Sequence, residues 1–240
     1  MAWFRKMLPI YVAALCLTLF LAVFASESVT VLTGALEPGE ASTNRTVIVD
    51  PGHGGEDGGA VSSNGVLEST INLEISLRLR DLLNFLGVPV RMTRETDCSI
   101  YGQEARTVSE KKVSDLKNRV RLVNALPNAL LVSIHQNMFP ESKYYGTQVF
   151  YARAAGSQEL AESMQARFCT ALDPTNRRMA ALAQNVYLMN QIHCPGILIE
   201  CGFLSNPREE QLLQEEAYQI KIAAVIAAEL SSALLESGVS

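Results

Sequence analysis

The stretch Thr46-Val-Ile-Val-Asp50-Pro-Gly-His53-Gly-Gly-Glu-Asp-Gly-Gly59 runs from a β-branched apolar segment straight into a glycine-rich loop. Thr46–Asp50 has the composition of a short buried strand. Five glycines between Gly52 and Gly59 let the chain turn tightly around one functional side chain, His53, and let a ligand come close to the backbone. The loop has neither a GKS/GKT ending nor a GxGxxG spacing, so it is a poor phosphate cradle.

Outward from this stretch, strand-like and helix-like segments alternate. Ile71, Ile75, Leu79, Leu82, Leu83 and Leu86 are spaced for a helix over Glu68–Leu86, closed by Gly87. Strands are expected at Val88–Met92, Ala129–Ile134, Thr147–Ala152, Val186–Met189 and Ile197–Cys201. Helices are expected at Lys112–Leu126, Ser157–Leu172, Pro207–Leu213 and Tyr218–Leu235. This alternation predicts an α/β fold: one three-layer α/β/α domain with a mostly parallel sheet, phosphorylase/hydrolase-like in architecture. Sites in such folds gather beyond the carboxyl ends of strands. Glu95–Val113 lacks clear periodicity and reads as a long loop, either a flap over the site or a surface for an accessory protein.

Before the body comes a different kind of sequence. Arg5 and Lys6 precede an apolar run from Met7 to Phe24, and Val23-Phe24-Ala25 resembles a cleavage site. Residues 1–25 therefore read as a signal peptide or membrane anchor, 26–45 as a small, polar, flexible linker, and 46–240 as the catalytic domain. The chain is exported on this reading, either secreted or membrane-tethered. The 240 residues carry a formal net charge of -5, which argues against nucleic acid as a partner. Of five cysteines, Cys16 lies in the apolar run, and Cys98, Cys169, Cys194 and Cys201 form no known disulfide framework. A Cys194–Cys201 bridge would need Cα atoms within about 7 Å, too close for residues flanking one extended strand.

Four positions carry the candidate chemistry. His53 follows the first strand. Glu68, fifteen positions on, opens a helix, where the dipole favours a carboxylate. His135 closes the strand of Ser133-Ile-His-Gln-Asn137. Glu200 sits in Gly196-Ile-Leu-Ile-Glu200-Cys-Gly-Phe203, where a carboxylate is costly unless paired or beside a metal. Each has a bland alternative: a helix-start charge, a core histidine, a buried ion pair. Together they make a stronger case, because two of the three histidines close strands whose ends converge. Two histidines and a glutamate suit zinc and leave one coordination position open, as a catalytic site requires. His193, in a loop before a strand, reads as surface.

His53 within DPGHGG, Glu68, SIHQN around His135, and Ile199-Glu200-Cys-Gly-Phe-Leu-Ser-Asn-Pro207 resemble, in order, the blocks of the zinc-dependent N-acetylmuramoyl-L-alanine amidases. Thr93-Arg-Glu-Thr-Asp97 fits that family too. Val113-Ser-Asp-Leu-Lys-Asn-Arg119 and Thr175-Asn-Arg177 are similar to its germination-specific, spore-cortex branch. The resemblance implies Zn2+ as cofactor, held by His53, Glu68 and His135, with Glu200 as the catalytic carboxylate. It implies hydrolysis of the amide between N-acetylmuramic acid and L-alanine in peptidoglycan, and cortex maturation together with a muramic acid deacetylase that leads to muramic-δ-lactam. Asn137 and Arg94 are then expected near the metal ligands or the substrate. Gln136 stands where a small residue is commoner and Cys201 where an aliphatic one is commoner. Cys201 beside Glu200 suggests sensitivity to oxidation. Two rivals stay open: a zinc peptidase cutting within the stem peptide, and a zinc-binding wall protein that depends on a partner.

Overall fold

The computed structural model describes residues 45–237. Residues 1–25, expected to be a signal peptide or anchor, and the expected linker up to residue 44, lie outside the described residues.

Thr46–Pro51 forms strand β1, with Val47, Ile48 and Val49 fully buried. It pairs in parallel with β2 (Val90–Met92) on one side and β3 (Ala129–Asn137) on the other. β6 (Gly196–Phe203) lies parallel to β3. β4 (Gln148–Tyr151) joins β6 antiparallel, and β5 (Ala181–Leu182) extends β4 in parallel. The six strands run in the order β2-β1-β3-β6-β4-β5, a mostly parallel sheet as anticipated.

Alternation along each strand divides the interior in two. Val47, Val49, Leu130, Val132, Ile134, Ile197 and Ile199 face the larger core, built with helices α1 (Glu68–Phe85), α3 (Ser157–Ala171) and α6 (Glu216–Ser237). Ile48, Leu131 and Leu198 face a smaller core against α2 (Val108–Asn124) and α4 (Tyr187–Gln191). α5 (Pro207–Gln214), with Pro207 in its first turn and Asn206 as cap, follows β6. Glu216–Leu235 is long and apolar enough to cross a membrane, but Ile222, Ala223, Ile226, Leu230 and Leu234 lie buried in the larger core.

Two sequence expectations fail. Val186–Met189 is not a strand: Tyr187–Gln191 is helical, and Leu188 and Met189 pack into the smaller core. A run of four apolar residues fits one helical turn as well as a strand. The edge position belongs to Ala181–Leu182, whose composition carries little β signal. The second failure concerns Glu95–Val113. Helix α2 begins at Val108, where Thr107 and Glu110 form a reciprocal capping box, so the irregular segment ends at Thr107. The Thr107-Val-Ser-Glu110 spacing carries that signal in the sequence. The remaining loop is fastened down: Gly55 N donates to Asp97 Oδ1 at 2.8 Å, Ser99 Oγ to Gly54 O at 2.5 Å, and Ile100 N to Asp115 Oδ1 at 2.6 Å.

One buried ion pair ties these parts together. Arg119 of α2 and Asp50 of β1 are 2% and 1% exposed, and Nη1 lies 2.7 Å from Oδ1. Thr93 and Ser133 hydroxyls also donate to Asp50, at 2.6 and 2.7 Å. Burial pushes this carboxyl up, but Arg119 and the two hydroxyls prevail and hold it below the usual carboxylate range. Arg119 also donates to Pro51 O and His53 O, each at 2.7 Å, so the pair sets the path of the glycine-rich loop.

Arg119→Met should strand Asp50 and cost about 3–5 kcal/mol at neutral pH, measured by urea unfolding. A depressed folded-state pKa contributes stability above the unfolded value of about 3.9, and that stability is lost as pH falls through the folded value. The variant's isolated carboxyl takes up a proton sooner, so its deficit should shrink on acidification. A deficit independent of pH would contradict this role for the pair.

Candidate metal centre

His53 holds φ at 59°, a left-handed conformation that non-glycine residues rarely adopt. The surroundings impose it. Arg119 Nη2 donates to His53 O, Arg94 Nη2 to Gly52 O at 2.9 Å, and Arg94 Nε to Pro51 O at 3.0 Å. Gly54 and Asp57 close the loop by exchanging backbone hydrogen bonds. Asp57 Oδ2 then meets His53 Nδ1 at 3.0 Å, which leaves Nε2 facing Glu68 Oε2 at 3.3 Å.

Glu68 reaches the same place from the first turn of α1 and is 4% exposed. Its Oε2 accepts from Ala60 N at 2.9 Å. Its Oε1 accepts from Gln136 N at 3.1 Å and Asn72 Nδ2 at 3.3 Å, and meets His135 Nδ1 at 2.9 Å. His135 comes from β3, and its ring stands edge-on to that of His53, 5.0 Å between centroids. One ligand atom from each of His53, Glu68 and His135 lies within 4.8 Å of the others. Tetrahedral zinc, with bonds of about 2.0–2.1 Å, holds its donors roughly 3.3 Å apart. Two imidazoles and one carboxylate, gathered at that scale, fit the ion by both chemistry and spacing.

The packing around the triad is drawn to its shape. A Cβ on Gly52 would stand 2.3 Å from the His135 ring. At Gly59, φ is 69° and a Cβ would stand 2.6 Å from Glu68 Oε2 and 2.7 Å from His53 Cδ2. Neither position has room for a side chain unless His53, Glu68 or His135 moves.

Glu200 is the partner of His135 in the β3–β6 register, so both project from the same face, on adjacent strands. Its Oε2 is buried without a hydrogen-bond partner among the described residues. Burial, with Glu68 adding to it, pushes the Glu200 carboxyl up to about 7, although His135 and His53 pull the other way. For His53, burial disfavours the charged ring, yet Asp57 and Glu68 outweigh it and raise the pKa to about 9. Burial works against Glu68 as well, but the two histidines hold it well below the carboxylate range. Two buried carboxylates, Glu68 and Glu200, face this pocket, and a cation bound there would favour the charged form of both.

The remaining sequence candidates fall into place around this geometry. Arg94 is buried and spends its guanidinium on the carbonyls of Pro51, Gly52, Ser69 and Thr96, so it braces both ligand-bearing segments from behind and does not face a substrate. Asn137 lies where the β3–β6 register slips, half-buried, with no side-chain hydrogen bond among the described residues. His193 is exposed in the loop before β6. Cys201 points away from Glu200 and is 1% exposed, and burial pushes its thiol far up, so the anticipated oxidation sensitivity has no basis. The four described cysteines are free. Sequence reading missed Asn72 and Asp57. Asn72 sits one helical turn after Glu68 and donates also to Gly52 O, while Gln136 Nε2 in turn donates to it. The i,i+4 spacing from Glu68 is the signal for Asn72.

A model of one protein family, N-acetylmuramoyl-L-alanine amidase, matches residues 47–232. The germination-specific N-acetylmuramoyl-L-alanine amidase of Bacillus subtilis (strain 168) is 40% identical over 185 residues, 77% of this chain and 77% of that one. The N-acetylmuramoyl-L-alanine amidase LytC of the same organism is 30% identical over 184 residues, covering 75% of this chain and 34% of that one. Among solved structures, the CwlD amidase from Clostridioides difficile in complex with the GerS lipoprotein superposes with a TM-score of 0.76 at 41% identity, over 79% of this chain and 98% of that one. The catalytic domain of CwlV, an amidase from Bacillus (Paenibacillus) polymyxa var. colistinus, gives 0.65 at 29% identity, over 78% and 97%.

Gly59→Ala should lower zinc affinity at least about tenfold in chelator competition, by displacing Glu68 or His53. Gly65→Ala is the matched control, since Gly65 shares the positive φ but has nothing within 4 Å of a built Cβ. Equal zinc retention in the two variants would contradict the cradle.

Proposed function

The chain belongs to the N-acetylmuramoyl-L-alanine amidase family, and from that premise we propose that His53, Glu68 and His135 hold a catalytic zinc ion and that Glu200 is its general acid–base partner. The reaction is hydrolysis of the amide between N-acetylmuramic acid and L-alanine in peptidoglycan. The observation that carries the reading is the buried Oε2 of Glu200, unpartnered among the described residues, on the strand beside His135. A buried carboxylate oxygen with no partner is costly in a purely structural role. It is suited to a proton acceptor awaiting water.

When bound, zinc supplies a Lewis acid that polarises the amide carbonyl and acidifies water. Everything else falls to the chain. Asp57 fixes the tautomer of His53, so that Nε2 presents its lone pair to the triad. Asn72 and the Gln136 N–H hold Glu68 Oε1 in place. Glu200 takes the proton of the attacking water and later gives it to the amine of L-alanine as that bond breaks. Burial, which disfavours the charged carboxylate, helps Glu200 hold the proton between the two steps.

The biological setting belongs to the same proposal. Likeness to a germination-specific amidase supports a role in spore cortex, where cleavage clears muramic acid for a deacetylase and so for muramic-δ-lactam. We place the enzyme outside the cytoplasmic membrane, around the developing spore, delivered by the signal or anchor at residues 1–25 and the linker at 26–45. The CwlD structure with a lipoprotein supports an accessory protein here too, docking near residues 95–113.

Mass spectrometry of digested peptidoglycan should show intact stem peptides released with a free L-alanine amine. Products that keep L-alanine on muramic acid would instead identify a stem peptidase. Glu200→Gln should retain stoichiometric zinc and lose about 10²–10⁴-fold in kcat. Turnover near wild type would remove Glu200 from the reaction.

A further inference from the structure

The cross-strand register extends the site by one strand beyond Glu200. His135 faces Glu200 across β3–β6, and Gln148 faces Glu200 across β6–β4. Directly opposed residues point to one face, so these three side chains form a row across three strands. At the end of the row stands Arg178, whose Nη1 donates to Gln148 Oε1 at 3.0 Å. Gln148 Nε2 donates to Met179 O at 3.3 Å, which turns the amide oxygen toward the arginine. Arg178 Nε donates to Tyr145 O at 3.0 Å, and the guanidinium lies 4.7 Å above the ring of Phe203. The group is held on three sides. Its Nη2 has no hydrogen-bond partner, and Arg178 has no ion pair, among the described residues. The nearby Glu209 is engaged elsewhere, accepting from Gly146 N at 2.9 Å and Phe203 N at 2.8 Å.

Arg178 acts on Glu209 through space without pairing with it, and a preorganised, half-buried arginine with a free Nη2 is a receptor for a carboxylate. Strands are spaced roughly 4.8 Å apart, which puts Gln148 one such step past Glu200. Two residues of extended peptide cover roughly 7 Å. That is the reach from the cleaved amide to the second stem residue, where glutamate carries a free carboxylate. We propose that Arg178, steered by Gln148 and stacked on Phe203, binds the carboxylate of the second stem residue and sets the enzyme's preference for a free acid over its amide there. The assignment rests on the amidase reading above.

The test uses two N-acetylmuramoyl tripeptides that differ only at the second residue, glutamate in one and isoglutamine in the other. With the zinc-loaded wild-type enzyme, the isoglutamine substrate should show a KM about tenfold higher or more. Arg178→Gln should raise KM for the glutamate substrate by a similar factor and abolish the discrimination. Arg178→Lys, which keeps the charge, should restore part of it. Arg177→Gln, at the exposed neighbour bound to Pro174 O, should discriminate as the wild type does. Equal KM values for both substrates in the wild type would overturn the assignment while leaving the amidase reading intact, and this arm needs no variant to fold. Discrimination that persists in Arg178→Gln would also overturn it. Failure of the wild type to release the stem from either substrate would overturn both.

Discussion

Glu68 offers one oxygen to each of two histidines that come from different parts of the chain, and the shape of the site depends on that sharing. His53 arrives from the loop after β1, His135 from the end of β3, and Glu68 from the first turn of α1. A single buried carboxylate can reconcile the three only if its own position is fixed. Ala60 N, Gln136 N and Asn72 Nδ2 fix it. The constraint passes outward to Gly52 and Gly59, where any side chain would collide with His135, or with Glu68 and His53. It passes also to Arg94 and Arg119, whose guanidinium groups bind the loop carbonyls and hold His53 in its left-handed backbone.

The two faces of the sheet are unequal, and the inequality makes room for chemistry. One face is sealed by α1, α3 and α6 over the larger core. The other carries only a small core under α2 and α4. Asp50, Ser133, His135, Glu200 and Gln148 all belong by strand alternation to this second face. Its polar groups are satisfied within the network wherever helices cover them, as at Asp50 and Ser133. Toward the strand ends Glu200 keeps a buried oxygen without a partner among the described residues.

Much of this was legible in the sequence, because the signals were local. The β-branched run of β1, the helical spacing of Ile71, Ile75 and Leu79, and the motif blocks around His53, His135 and Glu200 each carry their own meaning within a few residues. What escaped depends on tertiary contact. Tyr187–Gln191 is helical and packs Leu188 and Met189 into the smaller core, while Ala181–Leu182 takes the sheet edge, and neither segment announces that alone. Cys201 looks reactive beside Glu200 in the sequence, but strand alternation turns it into the core. Arg94 looks like a substrate group and proves to be a clamp on backbone carbonyls. Arg178 has no local signal; its place follows from a register that only the assembled sheet defines.

The central claim is that the triad of two imidazoles and one carboxylate is a zinc site. Zinc-edge X-ray absorption on the purified, zinc-loaded protein reads the donor atoms directly. The expected first shell is nitrogen and oxygen at about 2.0–2.1 Å, with outer-shell scattering from two imidazoles and no sulfur. A sulfur shell at about 2.3 Å, which would draw on the free cysteines, or scattering from fewer than two imidazoles, would contradict it.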